Sequence, residues 1–157
     1  MLRCLIHESR LEQLALLTDV DRIQIQAAMA YRFAEMVFDN FGEAGDHRPA
    51  TWKMLSKKYA DQFHGGSRIP TEILTGDLRD SIGRNIDISN PEYSTVTTDI
   101  EYAYDQQFGD PSINLPARPF FPMIEPEGGN DVFTPYALEE VVAAAEMELD
   151  RVLTENH

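Results

Sequence analysis

Residues 83–100 read GRNIDISNPEYSTVTTDI. In this stretch the spacing of apolar side chains changes from the three-and-four step of a helix to a step of two. Ile86 and Ile88 alternate with Asp87 and Ser89, the pattern of a strand with one face covered and one in water. Asn90-Pro91 makes a turn, and Tyr93 to Ile100, rich in Thr, Val and Tyr, returns as a second strand. An antiparallel hairpin is predicted, which excludes an all-helical fold.

Helical spacing lies on both sides. Upstream, ILTGDLRDSI (73–82) puts Leu78 and Ile82 four apart on one face, with Thr75 or Gly76 at the helix start. Asp77 and Asp80 fall near that start, where the helix dipole favours carboxylates. Ser56 caps a short helix to Phe63, which Gly65 and Gly66 stop, and a loop rich in Gly, Asp and Pro spans 42–51. From Asp19, a plausible N-cap, the residues Val20, Ile23, Ala27, Ala30, Ala34, Val37 and Phe41 line one face of a long helix that ends at Gly42. Downstream, Tyr102 to Phe108 reads as a short helix closed by Gly109. Thr134-Pro135 then opens a helix of about five turns with Leu138, Val142, Ala145, Leu149 and Val152 in one stripe. The expected class is α+β: a small antiparallel sheet flanked by a long N-terminal helix and a C-terminal amphipathic helix. Residues 1–18 form an N-terminal arm or short helix. Residues 19–157 form one domain with an extended Pro-rich arm at 110–130.

That arm contains LPARPFFP (115–122). Leu115, Arg118 and Phe121 each precede a proline, which pushes them out of the helical region. The segment is therefore extended and lacks three backbone donors. Neighbouring side chains of an extended chain point in roughly opposite directions, so Phe120 and Phe121 are not expected to share a pocket. One faces the domain's own core. The other is covered by a loop of the same chain or by a neighbouring subunit. The second option makes Arg118, Pro119, Phe120, Phe121 and Pro122 a subunit interface, with Arg118 pairing to a carboxylate.

The net charge is −14, with residues 41–84 at +1, 85–122 at −5 and 123–157 at −8. A chain this acidic does not hold nucleic acid by neutralising phosphates, although an acidic wall lets DNA slide past. One cysteine, Cys4, excludes an internal disulfide and suggests a reducing, cytosolic site of synthesis. No stretch is apolar enough to span a bilayer, so no membrane partner is expected. Walker loop, zinc pattern and Gly-x-Ser-x-Gly elbow are all missing, which argues against an enzyme and against a cofactor. His7, His47, His64 and His157 are scattered. Asp61 with His64, and Cys4 with His7, each lack the further groups that a metal site or an activated nucleophile needs.

Several pieces recur in an order that resembles the phage virion morphogenesis family, the tail-completion and head–tail joining proteins of Mu-like phages. They are Trp52-Lys53-Met54-Leu55-Ser56; Ile73 to Ile82 with Thr75, Gly76, Leu78 and Ser81; Tyr102-Ala103 through Gln107-Phe108-Gly109; and Pro116-Ala117-Arg118-Pro119-Phe120-Phe121-Pro122. The second piece is one residue shorter than the family pattern, and the extension before Asp19 has no counterpart there. The resemblance covers about Trp52 to Pro122. It implies a structural, non-enzymatic protein of the virion neck or tail end that assembles as a ring. Portal, adaptor or tail-tube proteins would be its partners, and DNA would only pass through the channel. It implies location in the host cytoplasm during assembly and then in the virion. Trp52, Leu55, Gly76, Leu78, Ile82, Tyr102 and Gly109 would be its structural motif residues. The alternative from charge alone is an acidic DNA mimic.

Overall fold

The computed structural model describes residues 15–42, 47–54, 56–63, 65–66, 76–124 and 132–155. The described chain is α+β. Helix α1 (Asp19–Phe41) is followed by α2 (Lys57–Phe63), α3 (Asp77–Arg84), strands β1 (Ile86–Asp87) and β2 (Thr95–Val96), and α4 (Ala103–Phe108). A 3-10 turn (Pro111–Ile113), β3 (Met123–Ile124), β4 (Val132–Phe133) and α5 (Pro135–Glu155) complete it. The arm or helix expected over 1–18 falls outside the described residues as far as residue 14.

The N-cap of α1 is Thr18, not Asp19. The Thr18 side chain accepts from the Asp21 amide, and the Asp21 carboxylate accepts from the Thr18 amide at 2.8 Å. This reciprocal box satisfies two donors at once, so it outcompetes a lone Asp cap. At the other end, Gly42 closes the helix in an extended conformation. Arg48 donates to the carbonyls of Asn40, at 2.8 Å, and Gly42, and its guanidinium lies 3.7 Å from the Trp52 ring centre. A cation held on the last carbonyls suits the negative end of the helix dipole.

Helix α5 runs antiparallel along α1. Arg32 reaches Glu140 with Nη2 to Oε2 at 2.6 Å, while Arg151 reaches back to Gln24 at 3.3 Å. The side of α5 facing the core carries Ala137, Val141 and Val152. The stripe expected to be buried is therefore rotated: Val152 belongs to it, but Leu138 is 50 % and Val142 45 % exposed. Small side chains let the two helices approach closely, and Ala30 and Ala34 of α1 do the same from the other side.

Among the described residues the β structure is two separate antiparallel ribbons and an isolated antiparallel bridge, Asp110 to Leu115. Ile86 pairs with Val96 in one, and Met123 with Phe133 in the other. The first is the hairpin expected from the change of spacing, with shorter paired strands. The second joins the end of the proline segment to the start of α5. One core unites these parts: Phe33, Met36, Val37 and Phe41 of α1, Trp52, Leu78 and Ile82 of α3, Ala103, Phe120, Ala137 and Val141.

Candidate interaction surface

The proline segment is not a free arm. It lies along the core, with Phe120 and Pro122 buried, and is held by side-chain amides. Gln107, near the end of α4, accepts from the amides of Phe120 and Phe121 through Oε1, each at 3.0 Å. Its Nε2 donates to the Phe121 carbonyl at 3.2 Å. Asn40 donates to the Phe120 carbonyl at 2.9 Å, and Trp52 Nε1 to the Pro119 carbonyl at 3.0 Å. The Arg118 amide donates to the Gln106 carbonyl at 2.7 Å. Beyond the bridge of Leu115 to Asp110, this stretch has its polar groups met by side chains and by one helix carbonyl, as burial demands.

Phe120 and Phe121 do not point to opposite sides. Their ring centres are 4.8 Å apart. Phe120 stacks on Phe41 at 5.3 Å and Phe121 on Phe33 at 5.8 Å, so one aromatic row serves one core. The Phe120 and Phe121 amides both donate to Gln107 Oε1, and successive N–H groups that converge on one oxygen do not alternate as in a strand, so the two side chains do not alternate either. Phe120 is 1 % exposed and Pro122 is fully buried within this chain. The subunit-interface assignment is therefore corrected for these two residues. Phe121 and Pro119 are half-buried. Arg118 does not show the carboxylate pairing expected of it: its Nε is buried without a hydrogen-bond partner among the described residues.

Gly109 shows why the turn before the segment needs glycine. Its φ of 78° and ψ of 164° lie in a region that only glycine enters readily. A Cβ there would stand 2.7 Å from the Ala117 nitrogen and 2.9 Å from the Leu115 oxygen. Gly76, with φ 76° and ψ −4°, begins α3, and a Cβ there would meet only ordinary contacts. Leu78 and Ile82 are buried on α3, and Tyr102 is exposed at the start of α4. Leu55 lies outside the described residues.

Two apolar grooves flank Phe121 and Met123. One, of about 390 Å³, runs past Ile100, Tyr104, Phe108 and Phe120. Tyr104 and Phe108 pack with their rings tilted, centres 4.8 Å apart, while 69 % and 39 % exposed, so two aromatic rings project from α4 beside the proline segment. The other, of about 550 Å³, lies between α1 and β2 and ends at Phe133 and Val141. Exposed aromatic side chains next to a groove are the usual makings of a binding face.

Comparison with family models, with curated proteins and with solved structures finds no match.

Among the described residues, no group of three or more His, Cys, Asp or Glu is placed to hold a metal ion. Cys4, His7, His64 and His157 are outside those residues, so both pairings weighed for chemistry fall outside them too. His47 sits 3.4 Å from the Asp39 carboxylate and stacks on Tyr136 at 5.2 Å. No described helix is long and apolar enough to cross a membrane.

Sequence reasoning missed Gln107 and Asn40 as the residues that fix the proline segment. Gln107 was part of the family-like Gln-x-Gly piece, but nothing local says that its amide serves backbone thirteen residues away.

Proposed function

We propose that this protein is a structural subunit of a phage virion, acting in head–tail joining or tail completion and assembling as a ring. One observation carries the reading. The pieces that suggested the family pack against one another around the end of α1: Trp52 holds Pro119, Gln107 holds Phe120 and Phe121, Gly109 passes close to Ala117, and Leu78 and Ile82 share their core. In the ring, a neighbouring subunit covers Tyr104 and Phe108 through a heterologous contact that closes by rotation. The excess of carboxylates keeps passing DNA from adhering. Portal, adaptor or tail-tube proteins take the two faces of the ring.

Mass photometry and negative-stain imaging test this, on the protein alone and then with portal or tail-tube protein. Closed annular particles are expected. Phe108→Asp together with Tyr104→Ser should leave the circular dichroism spectrum intact and abolish the particles. A protein that stays monomeric in every mixture overturns the reading, and intact rings from the double variant overturn the choice of face.

A further inference from the structure

All the lysines of the chain, Lys53, Lys57 and Lys58, fall in the single stretch WKMLSKK (52–58). Each of them is exposed, and Met54 in their midst is 56 % exposed. No ion pair joins any of them to another described residue, Asp61 one turn further along α2 included. The buried Trp52, bonded to the Pro119 carbonyl, fixes the start of the stretch to the core. A chain of net charge −14 thus carries one basic patch with an apolar side chain at its centre.

The smaller groove, of about 390 Å³, has the opposite character. Glu101, Tyr104 and Phe108 line it at spacings of three and four, so they share one side of the chain there, and all are exposed. Ile100, Phe121 and Met123 add apolar wall. The groove therefore presents two aromatic rings and a carboxylate, and lacks a cation.

We propose that the lysine patch of the next copy is what covers this groove. Met54 of that copy enters between the rings and the apolar wall, and its Lys57 or Lys58 pairs with Glu101. The inference rests on the assembly into rings proposed above and names the other half of the contact. A head-to-tail contact needs two different, complementary patches on one molecule, and this chain supplies both. A thioether packs well against aromatic rings, and an ammonium is drawn to their faces. Opposite charges at the edge steer the encounter and fix its register. Leu138 and Val142 of α5 are also exposed beside Glu139, but they hold out no ring to a thioether or an ammonium. Nucleic acid suits the patch less well. Its lysines neutralise about three phosphates at most, on a body whose net charge repels the rest.

The test is cross-linking by a carbodiimide, which joins an amine to a carboxylate in contact with it. Unlabelled and isotope-labelled full-length chains are refolded together, treated, digested and read by mass spectrometry. Peptides linking Lys57 or Lys58 to Glu101 should appear with one light and one heavy arm. Lys57→Glu with Lys58→Glu should weaken assembly by more than about tenfold, and Glu101→Lys should do the same, each with an unchanged circular dichroism spectrum. A mixture of these two variants should assemble, because every contact in an alternating arrangement again joins opposite charges. The pairing is overturned by the absence of such peptides, by linked arms of one isotope only, or by links from these lysines to Glu139 or Glu146 instead. Assembly that survives both reversals overturns it too, as does tight binding of a labelled DNA duplex that Lys57→Glu with Lys58→Glu abolishes. Rings that persist under any of those results leave the virion reading standing. Mixed links from particles of only two copies keep the pairing and overturn the ring.

Discussion

Gln107→Ala is the substitution that most directly tests how the proline segment is held. The change removes one acceptor shared by two backbone amides and one donor to a carbonyl. The Phe120 amide is buried, so leaving it unpaired costs roughly 1–3 kcal/mol. The Phe121 groups are only partly buried, and water can recover much of their loss, leaving about 1 kcal/mol. The vacated side-chain volume adds on the order of 1 kcal/mol. The sum is about 3–5 kcal/mol, a large part of the roughly 5–15 kcal/mol that holds a domain together. For a chain of this size it corresponds to a fall in Tm of roughly 10 °C. Calorimetry and urea unfolding at neutral pH measure it. Gln107→Glu gives an internal control, because a carboxylate still accepts from both amides but sets an oxygen against the Phe121 carbonyl. The two amides favour the charged carboxyl, and the prediction is that burial and the facing carbonyl outweigh them and raise its folded pKa, so that its penalty grows as pH rises above about 4.3. The deficit of the Glu variant should therefore shrink on acidification, while that of the Ala variant stays. A Tm loss under about 2 °C for Gln107→Ala would refute the claim that this amide secures the segment.

Gly109→Ala should be far worse than Gly76→Ala. The first drives a methyl into the Ala117 and Leu115 backbone, whereas the second costs only about 1 kcal/mol of left-handed strain, as comparative thermal melts will show. Trp52→Phe should lower stability by roughly 1–3 kcal/mol, since it strands the Pro119 carbonyl and leaves a smaller aromatic face under Arg48. In the unsubstituted chain, Trp52 emission should move to the red in the same urea transition that circular dichroism reports. Acid should weaken the α1–α5 contact. Hydrogen bonds from Arg32 hold the Glu140 carboxyl below its ordinary range, so its contribution is full above the unfolded value of about 4.3 and is lost as pH falls through the lower folded value. The Tm gap between the native chain and Glu140→Gln should close over that window. A gap that stays constant counts against the ion pair.

How much of this was legible depends on where each conformation is decided. Helix positions and the first hairpin follow from contacts between near neighbours in sequence, and the spacing of Leu78 and Ile82 or of Ile86 and Ile88 records them. The rotation of α5 does not follow in that way. Leu138 and Val142 outweigh Ala137 in any hydrophobic tally, but close approach to α1 rewards the smaller residue, and only the packed pair of helices decides it. The Thr18 cap was missed for a smaller reason, an Asp standing where the usual signature has Glu or Gln.

The proline segment divides along the same line. Its extended backbone is fixed by covalent geometry and is readable from Leu115, Arg118 and Phe121 preceding prolines. The direction of each ring depends on a side-chain amide from another helix that gathers both backbone N–H groups, so alternation alone gave the wrong answer. The two facts are nevertheless connected. Within 116–122, prolines at 116, 119 and 122 leave donors only at 117, 118, 120 and 121. Three of those four are taken by Gln106 and Gln107, at the end of a helix that Gly109 turns sharply back along the segment. The spacing of the prolines thus sets which backbone groups need a partner, and one turn of α4 supplies it. Either element shifted by a single residue would leave buried amides facing nothing, which ties the Gln-x-Gly piece to the proline piece physically as well as by order in the chain.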